Sequence, residues 1–174
     1  CMIAIKSAEE IKRMQASADI AAVAMEKALA AVKEGVTTKQ IDDIVFRHII
    51  DAGATPSFKG YNGFPGSACI SVNEEIVHGI PGPRVLQEGD IVSIDLGAYF
   101  HGYHSDMART IGVGKISPEA QELIDVTKQS FFDGVARAVS GNRIIDISKA
   151  IEAAANKKGY GVIRELIGHG VGQD

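Results

Sequence analysis

The chain has 174 residues, of which 45% are hydrophobic and 23% are charged. A chain of this length buries roughly 70% of the surface that its unfolded form exposes, which is enough for one hydrophobic core without disulfide or metal staples. Lysine and arginine total 18 against 22 acidic residues, and the net charge is −4. Because no basic stripe is present, nucleic acids and anionic membranes are not expected as partners.

The sequence also bears on the compartment. The most apolar segment, 18–32, is interrupted by three charged residues, which makes it too short and too charged to cross a bilayer. No hydrophobic run of signal-peptide length precedes Glu9. The two cysteines, Cys1 and Cys69, offer no disulfide framework, as is typical of a reducing compartment. We therefore expect a cytoplasmic protein with a single domain over residues 1–174.

Two helices are predicted at the start of the chain. The first begins at a capping box made by Ser7 and Glu10, and apolar residues follow at helical spacing as far as Gly35. Thr37 opens the second helix, which ends at Gly53. A loop rich in glycine, proline and aromatic residues follows over 54–65.

A block of strands and two more helices complete the predicted elements. Strands are expected at 68–72, 76–80, 90–98 and 105–113, and the last two are joined by a turn at His101 and Gly102. A third helix starts at Ser117 and Pro118 and runs to about Val139. Asp146 is predicted to cap a fourth helix that ends near Gly159.

An internal repeat is predicted from a shift of 106 residues. This shift aligns Gly35 with Gly141, Gly53 with Gly159, and several apolar positions of the helices with one another. The pattern indicates a helix–glycine–helix–glycine unit present twice, although chance matching of common residue types is the alternative. The counterpart of the strand block would fall at about 173–219, so the chain resembles one and a half copies of a two-copy protein.

Two aspartates are the first candidate functional residues. Asp95 lies in the apolar segment 91–98, and a carboxylate buried there is costly unless it is paired or metal-bound. Asp106 follows on the return strand, so the hairpin would bring two like charges together, which requires a cation or a shared proton. Such oxygen ligands suit Mn²⁺, Fe²⁺, Co²⁺ or Mg²⁺. The alternative is an aspartate that caps a turn or pairs with Arg109.

Two histidines are further candidates. His169 lies in the GHGVG segment 168–172, whose glycines allow close backbone approach, so it is a candidate metal ligand or else a structural histidine. His78 follows Val77 near the end of a predicted strand. It suits acid–base catalysis or hydrogen bonding to a substrate because imidazole titrates close to neutral pH. A solvated loop histidine is equally compatible.

Aromatic residues and a cysteine precede His78 along the chain. They suit a pocket for a small apolar side chain, and the alternative is a satellite hydrophobic cluster under a loop. The residues are Phe58, Tyr61, Phe64 and Cys69.

Four motifs, taken in order, resemble the type I methionine aminopeptidases. They are VHGIPG at 77–82, SIDLG at 93–97, GYHSDMART at 102–110 and GHGVG at 168–172. The resemblance extends from Ile5 onward. It implies the α+β pita-bread fold, with a curved antiparallel sheet inside, helices outside, and a second pseudo-symmetric half that is incomplete here.

The resemblance also implies roles for the candidate residues. Asp95 would bind the first of two divalent metal ions, Asp106 would bridge both, and His169 would bind the second. His78 would be the catalytic residue that hydrogen-bonds the substrate near the scissile amide. The methionine side chain would lie in a pocket lined by Phe58, Tyr61, Phe64 and Cys69.

The implied activity is removal of the initiator methionine from nascent chains whose second residue is small. The implied cofactors are two divalent ions (Co, Mn, Fe or Zn). The implied partner is a nascent N terminus at the ribosome, and the implied enzyme is a monomer. In the family, two glutamate ligands, a second histidine and part of the pocket wall follow the GHGVG motif. Because this chain ends at Asp174, we expect an incomplete C-terminal part and weak or no activity of this chain alone.

Two other functions remain open at this point. A prolidase or aminopeptidase P relative would share the fold, although such proteins carry an additional N-terminal domain. The second is a catalytically inactive pita-bread binding module. Such modules generally lose the metal ligands, but Asp95, Asp106 and His169 are all present here.

Overall fold

The computed structural model describes residues 4–173, so Cys1 lies outside the described residues. Two structural units are formed, one by Cys1–Ile116 with Gly170–Asp174 and the other by Ser117–His169. Within 4–173, no helix combines the length and the apolar character needed to cross a membrane.

The first unit begins with the two predicted helices. Helix α1 (Ala8–Ala31) starts at the predicted capping box, in which the Ser7 hydroxyl accepts from the Glu10 amide and the Glu10 carboxylate accepts from the Ser7 amide. Helix α2 (Thr38–Asp51) starts in the same way. The first helix ends at Ala31 and not at Gly35 as expected, because its capping residue already has extended backbone geometry.

Within the described part of the first unit, six strands form two antiparallel sheets. The sheet orders are β1-β4-β5 and β2-β3-β6. The strands are β1 (Thr55–Pro56), β2 (Ala68–Val72), β3 (Ile91–Leu96), β4 (Ala98–Phe100), β5 (Tyr103–His104) and β6 (Met107–Gly112). The predicted turn at His101 and Gly102 is confirmed, with φ of 51° and 85°, as a two-residue hairpin of this kind requires. The strand predicted at 90–98 ends at Leu96, and β4 begins at Ala98; the strand predicted at 105–113 corresponds to β6, and the short β5 precedes it.

The core lies on one face of the β2-β3-β6 sheet. Val92, Ile94 and Leu96 of β3 are fully buried, whereas the alternating residues Ser93 and Asp95 are only half-buried. Helices α1 and α2 pack on the apolar face. Each fully buried aliphatic side chain contributes about 1.5–3 kcal/mol to stability. The opposite face therefore presents polar side chains, with Asp95 among them.

The strand predicted at 76–80 is wrong. This segment is an irregular loop, in which the carboxylate of Glu75 accepts from the Val72 amide at 2.8 Å and His78 has a φ of 59°. Extended backbone cannot continue through a left-handed residue. Hydrogen bonds of Gly79 to Ile70 and Ser71 of β2 therefore override the strand preference of the β-branched residues in this segment.

The second unit is a pair of helices, α3 (Pro118–Val135) and α4 (Ile144–Lys157). They approach closely at Gly134, where an added Cβ would lie 2.9 Å from the side chain of Ile151. Helix α3 ends before the predicted Val139. Helix α4 begins at Ile144, and Asp146 lies in its first turn, where its carboxylate accepts from the Arg143 amide at 2.8 Å.

The glycines of the predicted repeat share one backbone conformation. Gly35, Gly53, Gly141 and Gly159 have φ between 74° and 92°, a region that residues with a Cβ adopt only at a cost. Gly53 and Gly159 each lie shortly after a helix. The helix–glycine–helix–glycine pattern is therefore present in both units.

Candidate metal and substrate site

Asp95 lies on strand β3, and Asp106 lies just before β6, the neighbour of β3 in the sheet. Asp95 on β3 is paired with Cys69 of β2 on one side and with Ala108 of β6 on the other. Asp106 directly precedes the first residue of β6, Met107, which pairs with Leu96. The Asp95 atom Oδ1 has no solvent-accessible surface, whereas Asp106 is exposed.

The connection between the two aspartates is tightly closed. An added Cβ on Gly97 would lie 2.3 Å from the carbonyl oxygen of Ser105. The Ser105 amide donates to the Ala98 carbonyl at 2.8 Å, and the Ser17 hydroxyl of α1 donates to the same carbonyl at 2.7 Å. Helix α1 thereby anchors the backbone next to both aspartates.

The negative charges near Asp95 affect the pKa of the Cys69 thiol. Burial raises the pKa of the Cys69 thiol, and the negative charges of Asp95, Asp106 and Asp42 raise it further, to about 12. The thiol is therefore protonated at neutral pH. Asp95 and the residue that follows Asp106 lie on neighbouring strands, and carboxylates brought close together suit a divalent cation, because like charges need compensation.

The two carboxylates do not by themselves complete a metal site. Among residues 4–173, no three histidine, cysteine, aspartate or glutamate side chains form a group that could hold a metal ion. The donor set of this sheet is therefore a carboxylate pair, which fits a hard or borderline divalent ion.

A cavity of about 190 Å³ lies beside Asp95 on the polar face of the sheet. His78 and Asp95 both line it, so the structure brings together two of the predicted site residues. Ser71, Ser93 and Thr110 complete its polar wall. The hydroxyl oxygens of Ser93 and Thr110 are 2.8 Å apart. The cavity thus combines a carboxylate, an imidazole and hydroxyl groups.

The residues predicted for the methionine pocket are less closely grouped. Phe58 and Phe64 are half-buried, Tyr61 is 72% exposed, and Cys69 is buried. The lining of the 190 Å³ cavity includes none of these four described residues. The three aromatic residues belong to the loop before β2, and Cys69 belongs to β2, where it is directly opposite Asp95.

Sequence reasoning missed Asp42, which holds the end of this loop. Asp42 of α2 is 2% exposed, and its Oδ1 accepts from the amides of Ser67 and Ala68 at 2.6 and 3.1 Å. Its place three residues before Val45 and seven before Ile49 puts it on the buried helix face. The sequence already contained this signal, because a charged residue on the apolar face of a helix indicates a buried carboxylate with hydrogen-bond partners.

His169 belongs to the second unit and is exposed. Gly170, which follows it, belongs to the first unit. There the His104 amide donates to the Gly172 carbonyl at 2.8 Å, and the Gln173 amide group donates to the Tyr103 hydroxyl at 3.3 Å. The candidacy of His169 as a ligand therefore rests on its sequence motif.

Comparisons with known proteins agree on one family. The model of metallopeptidase family M24 matches residues 12–174. Methionine aminopeptidase 1 of Bacillus subtilis is 49% identical over 173 residues, which span 99% of this chain and 70% of that protein. The methionine aminopeptidase of Clostridium acetobutylicum is 49% identical over 174 residues, again 70% of its length.

Solved structures agree with the sequence comparisons. The methionine aminopeptidase of Thermotoga maritima superposes with a TM-score of 0.96 at 36% identity, over 99% of this chain and 70% of that one. A prolidase from Pyrococcus furiosus has a TM-score of 0.88 at 27% identity, and this chain covers 49% of it. The α+β architecture with antiparallel sheets and the resemblance inferred from the four motifs are both confirmed. The chain belongs to the methionine aminopeptidases of metallopeptidase family M24.

Proposed function

We propose that the chain acts in the metal-dependent removal of the initiator methionine from nascent proteins, with Asp95 and Asp106 as metal ligands. The observation that carries the proposal is the register of the sheet: Asp95 lies on β3, and the neighbouring strand β6 begins directly after Asp106, with Met107 paired to Leu96. The 49% identity to a methionine aminopeptidase supports the reaction.

The proposed ligands are two carboxylates and one imidazole. Asp95 and Asp106 supply oxygen donors, and His169 supplies a nitrogen donor on the basis of the GHGVG motif. A set of this composition suits Co²⁺, Mn²⁺, Fe²⁺ or Zn²⁺. When bound, divalent ions polarise a peptide carbonyl and make water a stronger nucleophile.

His78 is proposed to hydrogen-bond the substrate near the scissile amide. It lines the same cavity as Asp95, which supports a place next to the reacting group. Its imidazole can donate or accept a hydrogen bond at the peptide group. Its contribution is to orient the peptide bond, since correct positioning of a reactant lowers the barrier to reaction.

The methionine side chain is proposed to lie against the segment that precedes β2. Cys69 is directly opposite Asp95 in the sheet register, and Phe58, Tyr61 and Phe64 lie upstream of it. A protonated, buried thiol suits an apolar thioether neighbour. The substrate is proposed to be a nascent N terminus with a small second residue. The enzyme is proposed to be a cytoplasmic monomer that meets this substrate at the ribosome during synthesis.

The test is peptide cleavage by the purified chain in Mn²⁺ or Co²⁺, followed by chromatography of the released amino acid. We expect slow release of methionine from Met-Ala-Ser and no release of alanine from Ala-Pro. Asp106→Asn is the matched control, because it keeps the size of the side chain and removes its charge, and it should abolish release. Cleavage of Ala-Pro alone would favour an X-Pro peptidase, the activity named for the prolidase neighbour. Methionine release unaffected by Asp106→Asn would contradict the proposed ligands.

A further inference from the structure

His78 has an unfavourable backbone conformation for a residue with a side chain. Its φ is 59°, in the left-handed region that non-glycine residues seldom adopt. Such a conformation persists only where the surrounding structure holds it, and it is often found at functional sites. His78 is also exposed, so burial of its own side chain does not fix it.

The next residue, Gly79, is fixed on strand β2. Its carbonyl accepts from the Ile70 amide at 2.8 Å, and its amide donates to the hydroxyl of Ser71 at 3.0 Å. An added Cβ on Gly79 would lie 2.2 Å from the Ile70 carbonyl oxygen. Gly79 therefore contacts the backbone of the strand, and its amide and its carbonyl are both hydrogen-bonded to β2.

Ser71 supplies the one side chain in this contact. It is 4% exposed, so water has little access to replace its hydroxyl at the Gly79 amide. It lines the 190 Å³ cavity together with His78 and Asp95. The amide that Ser71 holds belongs to the peptide group that joins His78 to Gly79, so its orientation sets the ψ angle of His78.

The other end of the loop is held separately. Glu75 accepts from the Val72 amide at 2.8 Å, and Arg84 lies 3.4 Å from the Glu75 carboxylate. This contact fixes the start of the loop, three residues before His78. Ser71 is therefore the side chain that acts at the His78 end.

We propose that Ser71 is a positioning residue for His78. By accepting from the Gly79 amide, its hydroxyl holds the His78–Gly79 peptide group and so directs the imidazole toward the cavity that contains Asp95. An effect of Ser71 on catalysis rests on the proposed role of His78, whereas the hydrogen bond from the Gly79 amide to Ser71 does not depend on that role.

Three variants separate this role from general support of the loop. Ser71→Ala removes the acceptor, and Ser71→Thr keeps a hydroxyl at this position with one added methyl group. Thr38→Val is the matched control. The Thr38 hydroxyl accepts from the Gly82 amide at 2.9 Å in the same connection and is 2% exposed, but it does not line the cavity.

The first measurement needs neither metal nor substrate. Amide hydrogen exchange and the NMR shifts of His78 are recorded for each variant, with circular dichroism to verify folding. We expect exchange at Gly79 to be at least about tenfold faster in Ser71→Ala, with shifted His78 signals, and unchanged in Ser71→Thr and Thr38→Val. Unchanged Gly79 exchange and His78 signals in Ser71→Ala, or equal changes in Thr38→Val, would overturn the proposal.

The second measurement is turnover of Met-Ala-Ser in Co²⁺. Ser71→Ala should lower kcat about tenfold or more with KM within about twofold, since misplacement of an orienting group affects turnover steeply. Ser71→Thr should restore kcat. Equal kcat in Ser71→Ala and the unaltered chain would overturn a catalytic consequence. Absence of turnover in every chain, the unaltered one included, would instead count against the proposed function, and the exchange data would then decide on Ser71.

Discussion

Gly97 and Ser105 lie so close that an added Cβ on Gly97 would be 2.3 Å from the Ser105 carbonyl oxygen. Gly97 follows Asp95 by two residues, and Ser105 directly precedes Asp106. Their contact therefore fixes the backbone between the two proposed metal ligands. The separation of the carboxylates depends on a residue that carries no functional group.

Gly97→Ala is expected to weaken both stability and metal binding. The methyl group must displace the backbone of Ser105, and overpacking of this kind costs about 1–3 kcal/mol of the free energy of unfolding. Urea denaturation measures the loss of stability, and titration with Co²⁺ measures the affinity. Gly161→Ala is the control, because an added Cβ there has no neighbour within 4 Å. Equal Co²⁺ affinity in Gly97→Ala and the unaltered chain would contradict this account.

Asp42→Ala is expected to destabilise the first unit. The substitution leaves the buried amides of Ser67 and Ala68 without the carboxylate that accepts from both, at a cost of about 2–4 kcal/mol in the free energy of unfolding. Asp43→Ala is the control, since Asp43 forms only a solvent-accessible pair with Lys39, and its loss should cost under about 1 kcal/mol. Chemical denaturation measures both, and similar losses would refute the role of Asp42.

Glu10 is expected to make stability depend on acid pH. The Ser7 amide first, and then the hydroxyls of Tyr103 and Ser7, lower the pKa of Glu10 from 4.5 to about 2; the Tyr103 hydroxyl donates at 2.7 Å. Because the folded-state pKa is depressed, the stabilisation is present above pH 4.5 and is lost as the pH falls toward about 2.

The measurement is the Tm of the unaltered chain and of Glu10→Gln at about pH 6 and about pH 3. Glu10→Gln should have the lower Tm at about pH 6, and the difference should narrow by about pH 3. Glu9→Gln is the control, because Glu9 lies in the same helical turn and has an exposed ion pair with Arg13 at 3.7 Å. A difference that stays constant with pH would show that ionised Glu10 does not stabilise the fold.

Local signals in the sequence predicted much of the fold. The capping box at Ser7 and Glu10 and the turn at His101 and Gly102 depend on neighbouring residues, so both could be recognised directly. Asp95 could be recognised because a charge in an apolar strand is unusual. The matched glycines of the repeat were also visible, since positive φ favours glycine.

Long-range contacts account for what the sequence did not predict. Ile76, Val77 and Ile80 make the segment apolar and β-branched enough for a predicted strand, but Ser71 and Glu75 fix it as a loop. The role of Ser71 depends on its distance from Gly79, which no local pattern encodes. The strand predicted at 90–98 was also too long, because the close contact of Gly97 interrupts the apolar run between β3 and β4.

Asp95 and Asp106 are the proposed ligands of a divalent metal ion. A titration of the metal-free chain with Co²⁺, followed by its visible absorption, tests this for the unaltered protein, Asp95→Asn and Asp106→Asn. We expect saturable binding to the unaltered chain and an affinity at least about tenfold lower in each variant. Equal Co²⁺ affinity in all three proteins would contradict this proposal.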